Sequence, residues 1–181
     1  QEGYGITEKV RYRDASDGRQ LFETYENYPD NLVVNSEASG LFDIVANGLL
    51  GSDCVIAVDY GHGLIDNALA QYLGSYRACY VAVNAQVNSA TRGFNSVLRY
   101  AGCVDLIAIN ETELKVAIQD QAGDIDELAA RLLKKLSCKE LLVTRGVEGC
   151  TVYWLSGGIP EKRTFPALIR GVPIDRVGAG D

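Results

Sequence analysis

Four short stretches of this sequence hold residues suited to chemistry around phosphates: DYGHG (59–63), NETE (110–113), TRGVEG (144–149) and DRVGAGD (175–181). In the last, two glycines bracket an alanine and an acid follows. Residues that small let backbone N–H groups approach an anion closely, and a loop of this kind opening a helix makes a phosphate site. Asp181 then adds a carboxylate able to take a proton. Each of the other stretches brings polar groups or glycines to one point in the chain.

Other chemistries lack their parts. His62 is the one histidine and no C-x-x-C pair occurs, so zinc-ligand spacing is absent. A Ser-His-Asp triad would depend on His62, and there is no G-x-S-x-G elbow. No G-x-x-x-x-G-K-[ST] loop occurs. GHGLID begins like a dinucleotide fingerprint but has Asp66 where the third glycine belongs, which weakens an NAD-binding reading.

These stretches need elements to position them, and the apolar pattern supplies candidates. Residues 6–28 read as a hairpin, with Val10 and Tyr12 marking one strand, Phe22 and Tyr25 the other, and a polar turn with Gly18 between them. Beyond Pro29 the pattern becomes strand and helix in alternation. Strands are expected at 54–61, 79–85, 104–110, 139–146 and 150–156, with a further edge strand at 162–168 because of Pro166. Helices are expected at 36–51, 64–77, 88–102, 111–120 and 124–138. The last opens on Asp124 and Glu127, the spacing of a capping box. Such alternation predicts a layered α/β fold with a mostly parallel sheet. Ligands of these sheets bind at the carboxyl ends of the strands. All four polar stretches fall at such ends or, for DRVGAGD, after the last strand.

Net charge is −7, which disfavours a nucleic-acid or anionic-membrane partner but not ATP, whose phosphate site is local. No apolar run reaches the roughly 18 residues of a membrane span. Five cysteines at odd count and irregular spacing read as reduced core residues of a cytoplasmic protein. There is no methionine, even at position 1, and the chain stops at Asp181. The expectation is a fold incomplete at both ends, with a hairpin or lid segment at 1–32 and an α/β core at 33–181.

NETE, TRGVEG and DRVGAGD, in this order, resemble the motifs of the ribokinase-like, or pfkB, family of carbohydrate kinases. DYGHG and LFETYE are most similar to its heptose-phosphate kinase branch, although VNAQVNSATRGFN stands where that branch has an Asp-Pro-Lys-Gly segment. The resemblance implies an α/β/α sandwich with a small projecting β-hairpin or lid. It implies ATP-dependent phosphorylation of a sugar or sugar-phosphate hydroxyl. Asp181 matches the family's base, and the backbone of Gly178, Ala179 and Gly180 its anion hole. Asn110 and Glu113 match the motif that organises Mg²⁺ around the phosphates, with Glu113 nearest to a metal role. Thr144, Gly146 and Gly149 match nucleotide-lining positions. Arg176 and Val177 depart from the commoner signature.

Plainer readings stand beside these. Glu113 fits a first-turn carboxylate that complements a helix dipole. Thr144 fits an ordinary strand residue, and His62 a turn. Asp59, with Gly61, fits either a substrate contact or the cap of its own turn. Arg92 fits a fork gripping a substrate phosphate or a solvated helix face. A catalytically silent nucleotide- or sugar-binding module is the alternative to a kinase. The 181 residues alone are expected not to phosphorylate sugar, because no helix follows Asp181. A fused or associated nucleotidyltransferase domain, and a homodimer formed through the hairpin, are the partners the resemblance implies.

Overall fold

The computed structural model describes residues 8–26, 40–61, 63–75, 79–86, 97–102 and 104–168. They fall into two units, one within residues 1–32 and one within 33–168.

The first unit is a hairpin. Strands β1 (Glu8–Arg13) and β2 (Gln20–Glu26) pair antiparallel, with Tyr12 opposite Phe22. Their rings stack at 4.4 Å between centroids, which supplies the cross-strand contact a two-stranded ribbon needs. Asp14 fixes the turn by accepting from Ser16 N–H and Oγ–H, and Gly18 takes the left-handed backbone there (φ 73°).

The second unit is built on a six-stranded sheet in which spatial order equals chain order: β3 (Cys54–Asp59), β4 (Tyr80–Ala85), β5 (Leu106–Asn110), β6 (Glu140–Thr144), β7 (Cys150–Ser156) and β8 (Ile159–Phe165). The first four run parallel, and β7 and β8 are antiparallel. An edge strand was expected at 162–168 on account of Pro166; the edge strand is β8, which ends at Phe165 before that proline and carries Pro160 instead, which an edge position tolerates.

Helix α1 (Leu41–Leu49) precedes β3, α2 (Asn67–Ser75) joins β3 to β4, and α3 (Glu111–Ile118) and α4 (Ile125–Leu136) join β5 to β6. The core lies on one sheet face. Val81, Val83, Ile107, Ile109, Leu141, Val143 and Tyr153 meet Ala70 of α2, Leu114 of α3 and the buried stripe of α4. That stripe, Leu128, Ala129, Leu132, Leu133 and Leu136, is the helical period written in the sequence. Tyr153 also reaches α4 directly, donating its hydroxyl to Asp126 Oδ1 at 2.8 Å.

Three expectations need correction. Of the helix expected at 88–102, residues 88–96 lie outside the described residues, and its end is a 3₁₀ turn at Val97–Tyr100. The apolar run within the strand expected at 54–61 suits a buried parallel strand, yet Ile56 is 72% exposed. β3 is an edge of this sheet, and the core covers the face bearing Val55, Ala57 and Asp59. For the same reason Cys54, on the Ile56 face, is exposed, while Cys79 and Cys150 are half-buried and Cys138 is buried. Cys103 lies outside the described residues.

Candidate functional site

The carboxyl ends of the parallel strands form one rim. Register brings Asp59 opposite Ala85, and Asn110 opposite Thr144. Asn110 and Thr144 are therefore about 5 Å apart along the backbone, and both are exposed at the ends of their strands. Two of the four polar stretches thus meet side by side.

NETE forms a reciprocal capping box. Asn110 is the N-cap of α3, and its Oδ1 accepts from Glu113 N–H at 2.9 Å. Glu113 Oε2 accepts in return from Asn110 N–H at 2.8 Å. Two N-terminal donors are satisfied, and the Glu113 carboxylate is held at the positive end of the helix. Glu113 is 6% exposed. The sequence placed a box at Asp124 instead. There Asp124 Oδ1 accepts from both Asp126 N–H and Glu127 N–H, at 2.9 and 3.2 Å.

TRGVEG runs from Thr144 into a 3₁₀ turn, Gly146–Glu148. Arg145 N–H donates to Gly149 O at 2.8 Å and closes the loop. The two glycines are required for different reasons. Gly146 has φ 56° but open space around its Cβ position. Gly149 has φ 96°, and a Cβ there would lie 2.0 Å from Phe165 O and 2.6 Å from Ala167 N. The β6–β7 turn therefore lies directly against the end of β8.

Four charges link this loop to α3. Lys115 Nζ lies 3.0 Å from Glu111 Oε1, and Arg145 Nε lies 3.7 Å from Glu111 Oε2. Arg145 Nη2 also pairs with Glu148 Oε2 at 2.7 Å. Arg145 Nε is buried and has no hydrogen-bond acceptor.

At the β3 end, Asp59 is 3% exposed. Its Oδ1 accepts from Gly61 N–H at 2.9 Å, which makes the turn after the strand, where Gly61 takes φ 73°. Its Oδ2 accepts from Tyr100 Oη–H at 2.7 Å and pairs with Arg99 Nη2. Burial, followed by the adjacent Asp59 charge, pushes the Tyr100 phenol up from its ordinary value. The turn-capping reading of Asp59 is thus realised in these contacts, and Arg99 and Tyr100 complete a buried cluster.

The residues brought together are Asn110, Glu113, Thr144, Gly146 and Gly149. Asp59 and Gly61 stand on the same rim, on the far side of β4. Arg92, His62 and the signature Gly178, Ala179, Gly180 and Asp181 lie outside the described residues. Sequence reasoning missed Arg99, Tyr100, Glu111 and Arg145. For the last two a signal existed: opposite charges inside two motifs that end neighbouring strands.

The donor set suits one kind of cation. Among the described residues no three His, Cys, Asp or Glu side chains gather as a metal cage. A single capped carboxylate with an amide and a hydroxyl nearby offers oxygen donors of the sort hard divalent cations take, too few to hold one without further ligands. Among the described residues no helix is long and apolar enough to cross a membrane.

Residues 69–181 match the family model described as pfkB family carbohydrate kinase. The bifunctional protein HldE of Shewanella amazonensis is 28% identical over 160 residues, covering 88% of this chain and 30% of that protein. A ribokinase from Giardia lamblia superposes with a TM-score of 0.69 at 18% identity, covering 99% of this chain and 54% of that one. The Arabidopsis thaliana ribokinase solved with ribose and ATP gives 0.58 at 15% identity, over 87% of this chain and 48% of that one. The fold is therefore ribokinase-like, and the chain spans about half the length of these structures.

Proposed function

The chain belongs to the pfkB family of carbohydrate kinases, and from that premise we propose that the protein transfers the γ-phosphoryl group of ATP to a hydroxyl of a sugar or sugar phosphate. The attacking hydroxyl oxygen forms a bond to the γ-phosphorus as the bond to the β,γ-bridging oxygen breaks. The hydroxyl proton passes to the Asp181 carboxylate, and the electron pair leaves with ADP. The Gly178, Ala179 and Gly180 amides stabilise the charge that develops. Asn110 and Glu113 order the waters of Mg²⁺, which neutralises phosphate charge when bound. Thr144, Gly146 and Gly149 line the nucleotide. Asp59 and Gly61 shape the sugar end of the rim, where Arg92 is the candidate for a substrate phosphate.

One observation carries this reading: the Asn-x-x-Glu and Thr-x-Gly-x-x-Gly stretches end two parallel strands in register, with Asn110 opposite Thr144. The likeness of DYGHG and LFETYE to the heptose-phosphate kinase branch supports a heptose-phosphate acceptor and a fused or associated nucleotidyltransferase; the relative from Shewanella amazonensis is itself bifunctional. A cytoplasmic setting and a dimer through the hairpin belong to the same proposal. Its test is ADP release by the full-length protein with Mg-ATP and a panel of hexoses, heptoses and their phosphates. Turnover should fall by at least about a thousandfold in Asp181→Asn. The reading fails if Asp181→Asn leaves turnover untouched. Mg-ATP binding with no turnover on any sugar would favour the silent binding module.

A further inference from the structure

We propose that Arg145 is a positioning residue that ties the nucleotide-lining loop to the α3 cap, so that the two motifs meet Mg-ATP as one surface. This rests on the kinase reading for its ligand. Its geometry stands apart from that reading.

The loop from Thr144 to Gly149 and the amino end of α3 are separate in sequence. Their strands are paired in register, but strand pairing fixes only the backbone as far as Asn110 and Thr144. Beyond those residues each loop needs its own tether. Arg145 is the side chain that supplies one. Its main-chain N–H closes its own loop on Gly149 O, so its backbone is fixed by that loop. Its guanidinium spans two anchors, Glu148 at 2.7 Å within the loop and Glu111 at 3.7 Å on the first turn of α3. Lys115 holds the other Glu111 oxygen at 3.0 Å and orients that carboxylate toward the loop.

A fork with several N–H donors can serve both carboxylates, whereas an ammonium supplies one compact charge. The contact with Glu111 is the loose one. Arg145 Nε–H is buried without an acceptor, and a buried unmade hydrogen bond is costly. A movement of less than about 1 Å would bring Glu111 Oε2 within bonding range of it. Any ligand that draws the loop toward α3 closes that bond. A nucleotide whose phosphates meet both motifs is such a ligand, and its affinity then includes this closure. Glu111 sits one residue from the cap residue Asn110 and two from Glu113, so the tether acts on the cap that orients both.

The test is calorimetric titration of the full-length protein with Mg-ATP, together with KM for ATP and for sugar. Arg145→Ala should weaken Mg-ATP about tenfold and Glu111→Gln about threefold, with sugar KM unchanged within about twofold. Arg145→Lys should fall between wild type and Arg145→Ala. The double variant should be no worse than Arg145→Ala, because both changes remove one link. Glu111 is a partly exposed surface residue, so Glu111→Gln reads the link even if Arg145→Ala folds poorly. The inference is overturned if the two single effects multiply, if Mg-ATP affinity moves less than about twofold in Arg145→Ala, or if ATP and sugar constants shift alike. A wild type that binds no Mg-ATP overturns it together with the kinase reading. A wild type that binds Mg-ATP without transferring phosphate removes only the kinase reading, and the affinities still decide the role of Arg145.

Discussion

The two ends of the six-stranded sheet use the same chemistry differently. At the carboxyl end, Asp59 receives a tyrosine hydroxyl, from Tyr100, and an arginine, Arg99. At the amino end, Glu140 receives the hydroxyl of Tyr80 at 2.7 Å, and Asp105 pairs with Lys139 at 2.7 Å. The difference is in what the acids hold. Asp105 fastens strand starts: Oδ2 accepts from Val81 N–H, and its carbonyl accepts from Lys139 and Glu140 N–H. Its lysine partner is 73% exposed. Asp59 holds the first residues of a loop from a buried position. An acid, a phenol and a base are therefore not a site by themselves. Their end of the sheet decides whether they fasten strands or shape a rim.

The largest expected effect is at the buried end. Asp59→Ala leaves Arg99 without its carboxylate and Tyr100 without its acceptor, and should lower stability by about 3–5 kcal/mol in urea denaturation. A loss of activity at wild-type stability would instead mark Asp59 as a substrate contact and break the contrast. Gly149→Ala should cost on the order of 3 kcal/mol, because its Cβ meets backbone at 2.0 Å. Gly146→Ala, where there is room, should cost about 1 kcal/mol. Equal melting temperatures for the two would contradict the packing described. At the amino end, Asp105→Asn keeps an oxygen for Val81 N–H and gives up its charge pairing with the exposed Lys139. About 1 kcal/mol or less is expected, with Mg-ATP affinity unchanged.

The smallest effects are those of pH. Burial, then the hydrogen bond to Glu140, pushes the Tyr80 phenol up, as burial does for Tyr100. Burial raises the Cys138 thiol to about 11. For each, the folded chain favours the protonated form. Their contribution is whole below the unfolded values, about 8.5 for the thiol and 10 for the phenols, and fades as pH climbs through the folded ones. Asp126 runs the other way, held below the usual carboxylate range first by Lys162. Its contribution is present above about pH 4 and is lost as pH falls through its folded value. Stability measured against pH should therefore decline at both extremes. Asp126→Asn should flatten the acid side, and it should also soften the alkaline side, because the Tyr153 phenol is pushed up by burial and then by Asp126.

Much of this was legible in the sequence because it is local. The stripe from Leu128 to Leu136 and the Asp124 cap each follow from spacing alone, whereas the edge strand was found for a proline that falls just beyond its end. The Asn110 box was equally local, yet Asn-x-x-Glu reads as a ligand motif and as a helix start with the same letters. Both uses need a carboxylate at the positive end of a helix. What spacing could not give was long range. Arg99 and Tyr100 lie some forty residues from Asp59, in a turn whose apolar residues also suit a helix. The exposure of Cys54 and Ile56 depends on which face the core covers, and alternation within one strand does not record that.

The strictly sequential strand order bears on how the protein is made. Each strand of this sheet pairs with the one that precedes it in the chain, so a polypeptide leaving the ribosome can add them one at a time to a growing edge. Among the described residues no strand of this sheet is inserted between two others that come before it in the chain. The β6–β7 and β7–β8 pairings close short turns and form quickly, whereas each parallel pairing follows its longer crossover, and synthesis proceeds from the amino end. The sheet can therefore assemble in the order in which it is translated.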